Sequence, residues 1–244
     1  MLLRFFCVLG ALALLLTPAV AGPADDPADP AVAVQAALLG RDPQRIYEFV
    51  RDQIGVELYS TSLRGARGVL YARSGNSLDR ASLLVALLRA SGLTARYVQG
   101  ALESQYSAAV INSTFAPRNQ YLGCLTTTNV SNPIGSILNN YLTPHFWVEY
   151  GAANTPLDPT LRTFRAGQSY GTAASRFTEI PDALRQKVTV RLMVESYNSA
   201  GALFGLGVGS SKVLEQTFDS AEVYGKPITI GHFVSNRSIG GLTV

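Results

Sequence analysis

The chain has 244 residues, 47% hydrophobic and 15% charged, which is apolar matter for one good core and at most a second small module. Its formal charge is +3, one unit of it on Arg4, and no basic block points to nucleic acid or an anionic membrane. With only Cys7 and Cys124, and only His145 and His232, a structural zinc site is close to excluded and no cofactor is expected.

In chain order, residues 1–21 read as a signal peptide. Arg4 supplies the positive start, Phe5 to Leu16 the apolar run, and Pro18-Ala19-Val20-Ala21 an A-x-A site with cleavage after Ala21. The apolar run is about 12 residues, short of the roughly 20 that span a bilayer, and no later segment is long and apolar enough. The mature chain is therefore expected outside the cytoplasm, periplasmic or extracellular, with one thiol, no internal disulfide and no membrane span.

Residues 22–40 read as a linker and lead-in, because Gly22 to Pro30 is dominated by Pro and Asp. A first domain is expected over 41–180. Asp42-Pro43 offers an N-cap followed by proline at the first helical position, and Ile46, Phe49, Val50 and Ile54 recur at helical spacing behind it. Leu58 to Tyr71, with Arg64-Gly65 and Arg67-Gly68, reads as an extended, looping connection.

Leu78 to Ala90 is apolar on most faces and predicts a buried helix. Ser77 is a favoured N-cap type, Asp79 suits the positive end of the helix dipole, and Gly92 suits the left-handed C-cap. A strand follows over Ala95–Leu102. Residues 103–143 form a long polar connection of the kind that is functional or disordered. His145 to Glu149 alternates as a short strand with His145, Trp147 and Glu149 on one face. Thr155 to Thr160 holds a further strand ending at Asp158-Pro159.

From 181 to 244 the texture is that of a β module. Val188, Val190, Leu192 and Val194 alternate with polar positions, Gly201 to Gly209 is a glycine-rich turn, and two or three strands lie between Val213 and Val234. The module lacks a terminal cap, so the chain is expected to belong to a larger chain or assembly.

Three side chains carry the chemistry. A hydroxyl at a helix start, as Ser77 offers, gains from unpaired N–H groups and the dipole. A histidine on a neighbouring strand can act as base, and a carboxylate beyond it can fix the imidazole tautomer. Ser77, His145 and Asp158 stand in that order. Each has a plainer alternative: Ser77 as an N-cap, His145 as a satisfied core residue, Asp158 as a strand-end turn former. Trp147 fits a core residue, Cys124 a small residue in the long loop, and His232 a structural role. Gly207 to Lys212 lacks the strand-loop-helix context and ending of a phosphate loop.

The run Gly75-Asn76-Ser77-Leu78-Asp79-Arg80-Ala81-Ser82-Leu83-Leu84 resembles the core-helix motif G-x-C-x-D-x-A-x-L-L of the transglutaminase-like superfamily. Leu88 to Gly100, His145-Phe146-Trp147-Val148-Glu149 and Pro156-Leu157-Asp158-Pro159-Thr160 are similar to its later blocks in the same order. The resemblance covers about 43–165 and is nearest to the kind found near the N-termini of large secreted bacterial proteins. It implies an α+β, papain-like core, with a buried central helix packed on an antiparallel sheet. It also implies that Ser77, His145 and Asp158 occupy the triad positions, with serine where the family has cysteine.

That departure shapes the functional expectation. A cysteine beside a histidine and a helix end waits as a thiolate; a hydroxyl is far more basic and needs a true general base and a well-built oxyanion hole. The expectation is a non-catalytic domain that binds or positions a peptide or surface partner. The alternatives are a Ser-His-Asp amidase, peptidase or acyl-transfer enzyme acting on peptide or glutamine amides, and a purely structural domain of a larger surface protein.

Overall fold

The computed structural model describes residues 22, 24–114, 137–197, 208–230 and 242–243. Two short helices lead in: α1 (Pro30–Leu38) and α2 (Pro43–Gln53). Both start by the same device. Asp29 accepts hydrogen bonds from the N–H groups of Ala31 and Val32, Asp42 accepts from that of Arg45, and a proline fills the next position in each. α2 buries Ile46, Tyr47, Phe49 and Val50, as the helical spacing predicts.

The lead-in expected over 22–40 is irregular ahead of Pro30 and then helical, and it packs against the core. α1 packs on the central helix through fully buried Val32 and Ala36, and ahead of it Ala24 and Asp25 are buried. The Asp-Pro pair at 29–30 is a helix start, and the alanines behind it give a helix that needs little amphipathicity to bury one narrow stripe. The looping connection expected over 58–71 is also corrected, since α3 spans Gly65–Ala72. Gly65 opens it at φ +61°, where a side chain would strike the Ala24 carbonyl at 2.8 Å.

Two-residue strands β1 (Gly55–Val56) and β2 (Ser74–Gly75) pair in parallel and aim the chain into α4 (Ser77–Ala90). Every residue of α4 from Leu78 to Leu88 is buried, between α1, α2 and α3 on one side and the sheet on the other. Each fully buried leucine there contributes about 1.5–3 kcal/mol of apolar burial. This is the all-round apolar helix that the sequence predicts.

The main sheet runs β5 (Thr155–Leu157), β4 (His145–Tyr150), β3 (Ala95–Leu102), β6 (Gly171–Phe177), all antiparallel. Phe146 and Val148 of β4 join the α4 core. Glu149, paired in register with Arg96, is held by the guanidinium groups of Arg96 and Arg176. Gly100 lies opposite His145, where a Cβ would sit 2.1 Å from the Thr172 carbonyl oxygen. Part of the connection expected to be loop is helical: α5 covers Ser104–Ser113, and a 3₁₀ turn covers Asn140–Leu142. The mixture of helices and an antiparallel sheet around one buried helix is the α+β architecture expected.

Beyond residue 180, β7 (Lys187–Tyr197) and β8 (Val208–Asp219) form a long antiparallel ribbon, with a register shift between Leu192 and Met193. A four-residue helix follows at Ser220–Val223, and Thr229–Ile230 pairs with Leu242–Thr243. The base of the ribbon is tied to the core. The Ser62 N–H donates to the Leu184 carbonyl, that of Gln186 to the Ser62 carbonyl, and the Ser220 hydroxyl to the Leu63 carbonyl. Gly201 to Gly207, Cys124 and His232 lie outside the described residues. No helix among the described residues is long and apolar enough to cross a membrane.

Candidate functional site

The site begins with how α4 starts. The N-cap is Asn76, whose side-chain oxygen accepts the Asp79 N–H at 2.8 Å. Its amide nitrogen donates to the carbonyls of Tyr59 and Thr61 at 2.9 and 2.7 Å, so one side chain caps the helix and anchors the neighbouring loop. This corrects the reading of Ser77 as the cap: Ser77 is the first helical residue, and its hydroxyl has no capping task.

Asp79, wholly buried, completes the grip on that loop. Its carboxylate accepts from the hydroxyls of Tyr59 and Ser62, each at 2.7 Å, and from the backbone N–H groups of Leu63, Arg64 and Gly65 at 2.8–3.0 Å. Five donors around one carboxylate fix the 59–65 loop on the α4 N-terminus. The aspartate of the G-x-x-x-D pattern is thus mainly a clamp, with its favourable dipole position a second benefit.

Across from the helix start, His145 opens β4 and is 1% exposed. Its Nε2 lies 2.8 Å from Asp158 Oδ2, and Asp158 is equally buried. A carboxylate only accepts, so Nε2 carries the proton and Nδ1 is the basic ring nitrogen. Asp158 Oδ1 accepts the Thr160 N–H at 3.0 Å, and the Asp158 carbonyl accepts the Tyr47 hydroxyl at 3.0 Å. Burial alone would raise the Asp158 carboxyl. The electrostatic pull of the adjacent His145 ring and the hydrogen bonds from His145 and Thr160 outweigh it and hold the group below the usual carboxylate range. The Trp147 ring stacks on His145 at 6.0 Å between centroids and is itself buried, which suits its expected core role.

Ser77 and His145 line one small pocket, with Glu57, Arg80, Tyr141 and Leu142 among its walls. Its volume is about 10 Å³, room for about one water. Among the described residues, no hydrogen bond joins the Ser77 hydroxyl to His145, whose one side-chain hydrogen bond goes to Asp158. The three residues named from sequence therefore converge on one place, but only two of them are bonded to each other.

Sequence reasoning missed Arg80. It is 1% exposed and gives its guanidinium to the carbonyls of Thr160, Val50 and Pro159 at 3.2, 2.9 and 2.6 Å. Burial pushes its pKa down to about 10, against the pull of Asp158, Tyr47 and Asp52. Arg80 thereby staples α4 to the end of α2 and to the segment that follows Asp158. The available signal was a charge that follows Asp79 directly inside a helix otherwise apolar up to Leu88, apart from Ser82. Thr160, which helps to fix Asp158, carried no signal beyond its closeness to the Pro-rich strand end, and Tyr47, 111 residues earlier on α2, carried none.

Beside the small pocket opens a groove of about 460 Å³, lined by Arg51, Asp52, Val56, Ala109, Ser113 and Arg162 with their neighbours. Val56, Arg80 and Thr160 border both spaces. No cluster of three or more His, Cys, Asp or Glu side chains among the described residues is placed to hold a metal ion.

The family model for the transglutaminase-like superfamily matches residues 28–156, more than half of the chain. The chain belongs to the transglutaminase-like superfamily. The match takes in α1, in keeping with the packed rather than linking character of that segment, and it includes Ser77 and His145. It ends two residues before Asp158, whose place in the transglutaminase-like site rests on its bond to His145. No curated protein matches this transglutaminase-like chain.

Proposed function

We propose that this is an exported transglutaminase-like domain that binds a peptide or a protein segment in the groove beside Ser77 and His145, without forming a covalent intermediate, as part of a larger chain or assembly. One observation carries the reading. The space between the hydroxyl and the imidazole has room for about one water, whereas the adjoining groove is of ligand size. A hydroxyl with no hydrogen bond to its base is not activated for attack. The leader pattern over residues 1–21 supports export.

The Ser77→Cys variant tests this. In a working site, His145 and the α4 N-terminus would lower the new thiol's pKa, so alkylation by iodoacetamide would stay rapid down to about pH 5. The binding reading expects alkylation that falls about tenfold per pH unit below the ordinary thiol value near 8.5. Rapid labelling at low pH would overturn it.

The His145–Asp158 pair favours a second reading. Both side chains are buried, oriented and paired at 2.8 Å, which is the arrangement a general base requires. In that case Ser77 would attack a peptide or glutamine amide once a substrate displaces Tyr141 or Leu142. Trapping the wild-type chain with a serine-directed fluorophosphonate, with Ser77→Ala as control, decides it. Label on Ser77 selects catalysis; none selects binding alone.

A further inference from the structure

Asp25 is the most unusual charge outside the site. It is 1% exposed, and its Oδ2 accepts from Arg89 Nη1 at 2.7 Å and from the Tyr97 hydroxyl at 3.0 Å. Its Oδ1 is buried and has no partner among the described residues. An orphaned carboxylate oxygen is costly, because a buried acceptor without a donor forfeits the hydrogen bonds it had in water. In keeping with that deficit, burial pushes the Asp25 carboxyl up despite Arg89 and Tyr97.

Gly22 lies next to this oxygen. Its carbonyl accepts the Asp25 N–H at 3.2 Å, closing a turn, and a Cβ built on it would sit 3.5 Å from Asp25 Oδ1. Backbone geometry then places the Gly22 nitrogen within about 6 Å of Oδ1, in reach after rotation about a single glycine torsion. Gly22 is also the residue after the A-x-A pattern that ends at Ala21.

We infer that removal of residues 1–21 creates a structural element: the new α-ammonium of Gly22 forms a buried ion pair with Asp25 Oδ1. The chemistry is hydrolysis of the Ala21–Gly22 amide by an export peptidase. Water adds its hydroxyl to the Ala21 carbonyl carbon, the C–N bond breaks, and the nitrogen leaves as an amine that takes up a proton at neutral pH. One amide N–H is replaced by a cation with three donors, the group that Oδ1 lacks.

The remaining charges around the pair are accounted for. Arg89 comes from α4 and Tyr97 from β3, both engaged with Oδ2. Arg185 reaches to 3.6 Å from the Gly22 Cβ position, and its charge is engaged by Asp219 at the end of β8. Arg89 also donates to the carbonyls of Ala95 and Thr178, so the pair would lock the N-terminus to the far end of α4 and to the strand edges there. The inference stands apart from the chemistry of Ser77, which lies at the opposite end of the helix.

The test uses the exported protein. Mass spectrometry of the secreted chain is expected to give Gly22 as its first residue. With ¹³C-labelled glycine, the Gly22 Cα shift should report an α-amine titrating at least one unit above the usual range of about 7.7–8.0. A chain that retains Ala21 should melt about 2–4 °C lower at pH 7, and the difference should vanish once pH rises above the raised amine value. In Asp25→Asn the amine should return to the ordinary range. A different first residue, an amine that titrates at its ordinary value in the folded wild-type chain, or no loss on retaining Ala21 would each overturn the inference. The wild-type titration decides even where Asp25→Asn does not fold.

Discussion

The Ser62 hydroxyl donates to Asp79 Oδ1 at 2.7 Å, and this bond joins the loop before α3 to the first turn of the central helix. The Ser62 backbone is in turn hydrogen bonded on both sides by the base of the β ribbon, to Leu184 and to Gln186. The candidate nucleophile position is therefore set by a clamp of polar groups, whereas the apolar core sets the helix behind it.

Asp79→Asn should destabilise the domain by about 3 kcal/mol or more. An amide can accept through one atom only and would present its NH₂ to donors, so two of the five donors (those on Oδ1) or three (those on Oδ2) lose their acceptor. Urea denaturation of the variant against wild type measures the change. A midpoint close to that of wild type would show that the loop is held by other contacts.

Asn76→Ala removes the helix cap and two hydrogen bonds to the 59–61 backbone at once. The cap alone is worth about 1 kcal/mol, and the two bonds to carbonyls add about 0.5–1.5 kcal/mol each. The expected loss is therefore about 2–4 kcal/mol. Hydrogen exchange at the Asp79 amide should accelerate as well.

The depressed Asp158 carboxyl gives a signed pH dependence. Its folded pKa lies below the unfolded value near 3.9, so its contribution to stability is complete above that value. The contribution is lost as pH falls from there through the folded pKa. Denaturant stability measured from pH 6 to pH 2 should show a steeper acid decline in wild type than in Asp158→Asn. Parallel curves would mean that the pair with His145 adds nothing to folding.

Leu84→Ala, in the middle of α4, should cost about 2–5 kcal/mol, because the residue is fully exposed to neighbours on all sides and wholly hidden from solvent. Calorimetry reads this as a lower melting temperature.

Gly100→Ala should displace β6 from β3. The added methyl would stand 2.1 Å from the Thr172 carbonyl oxygen, a backbone atom that cannot rotate away. Because Gly100 faces His145 in the register of β3 and β4, loss of His145–Asp158 pairing is expected together with loss of stability. The ring-proton NMR signals of His145 would report both.

The buried helix, the α2 start and the β4 strand were legible because each carries a strong local signature: nine apolar residues among the thirteen from Leu78 to Ala90, an Asp-Pro start, and a short alternating run. α1 has the same Asp-Pro start as α2 at Asp29-Pro30, but its alanine-rich body gave no stripe, and the prolines at 23 and 27 suggested a linker. α3 was hidden by Gly65 and Gly68, which look like turn residues in sequence. Gly68 is small because Tyr224 packs on it, 156 residues later in the chain, where a Cβ would lie 2.8 Å from the ring. The placing of Ser77, His145 and Asp158 followed from the family motif, whereas the roles of Asn76, Asp79 and Arg80 depend on partners 14–80 residues away that no local pattern announces.

The way Arg80 is held has a consequence for how this molecule can vary. Its two terminal nitrogens bond main-chain carbonyls only, while the buried Nε has no partner among the described residues, so the features it recognises are a shape of the backbone and not any particular side chains at Val50, Pro159 or Thr160. Substitutions at those three positions that leave the chain path intact should therefore keep these hydrogen bonds, although at fully buried Val50 the core sets its own limit on side-chain size. Replacement of the arginine itself would leave three inward-turned oxygens with nothing to answer them.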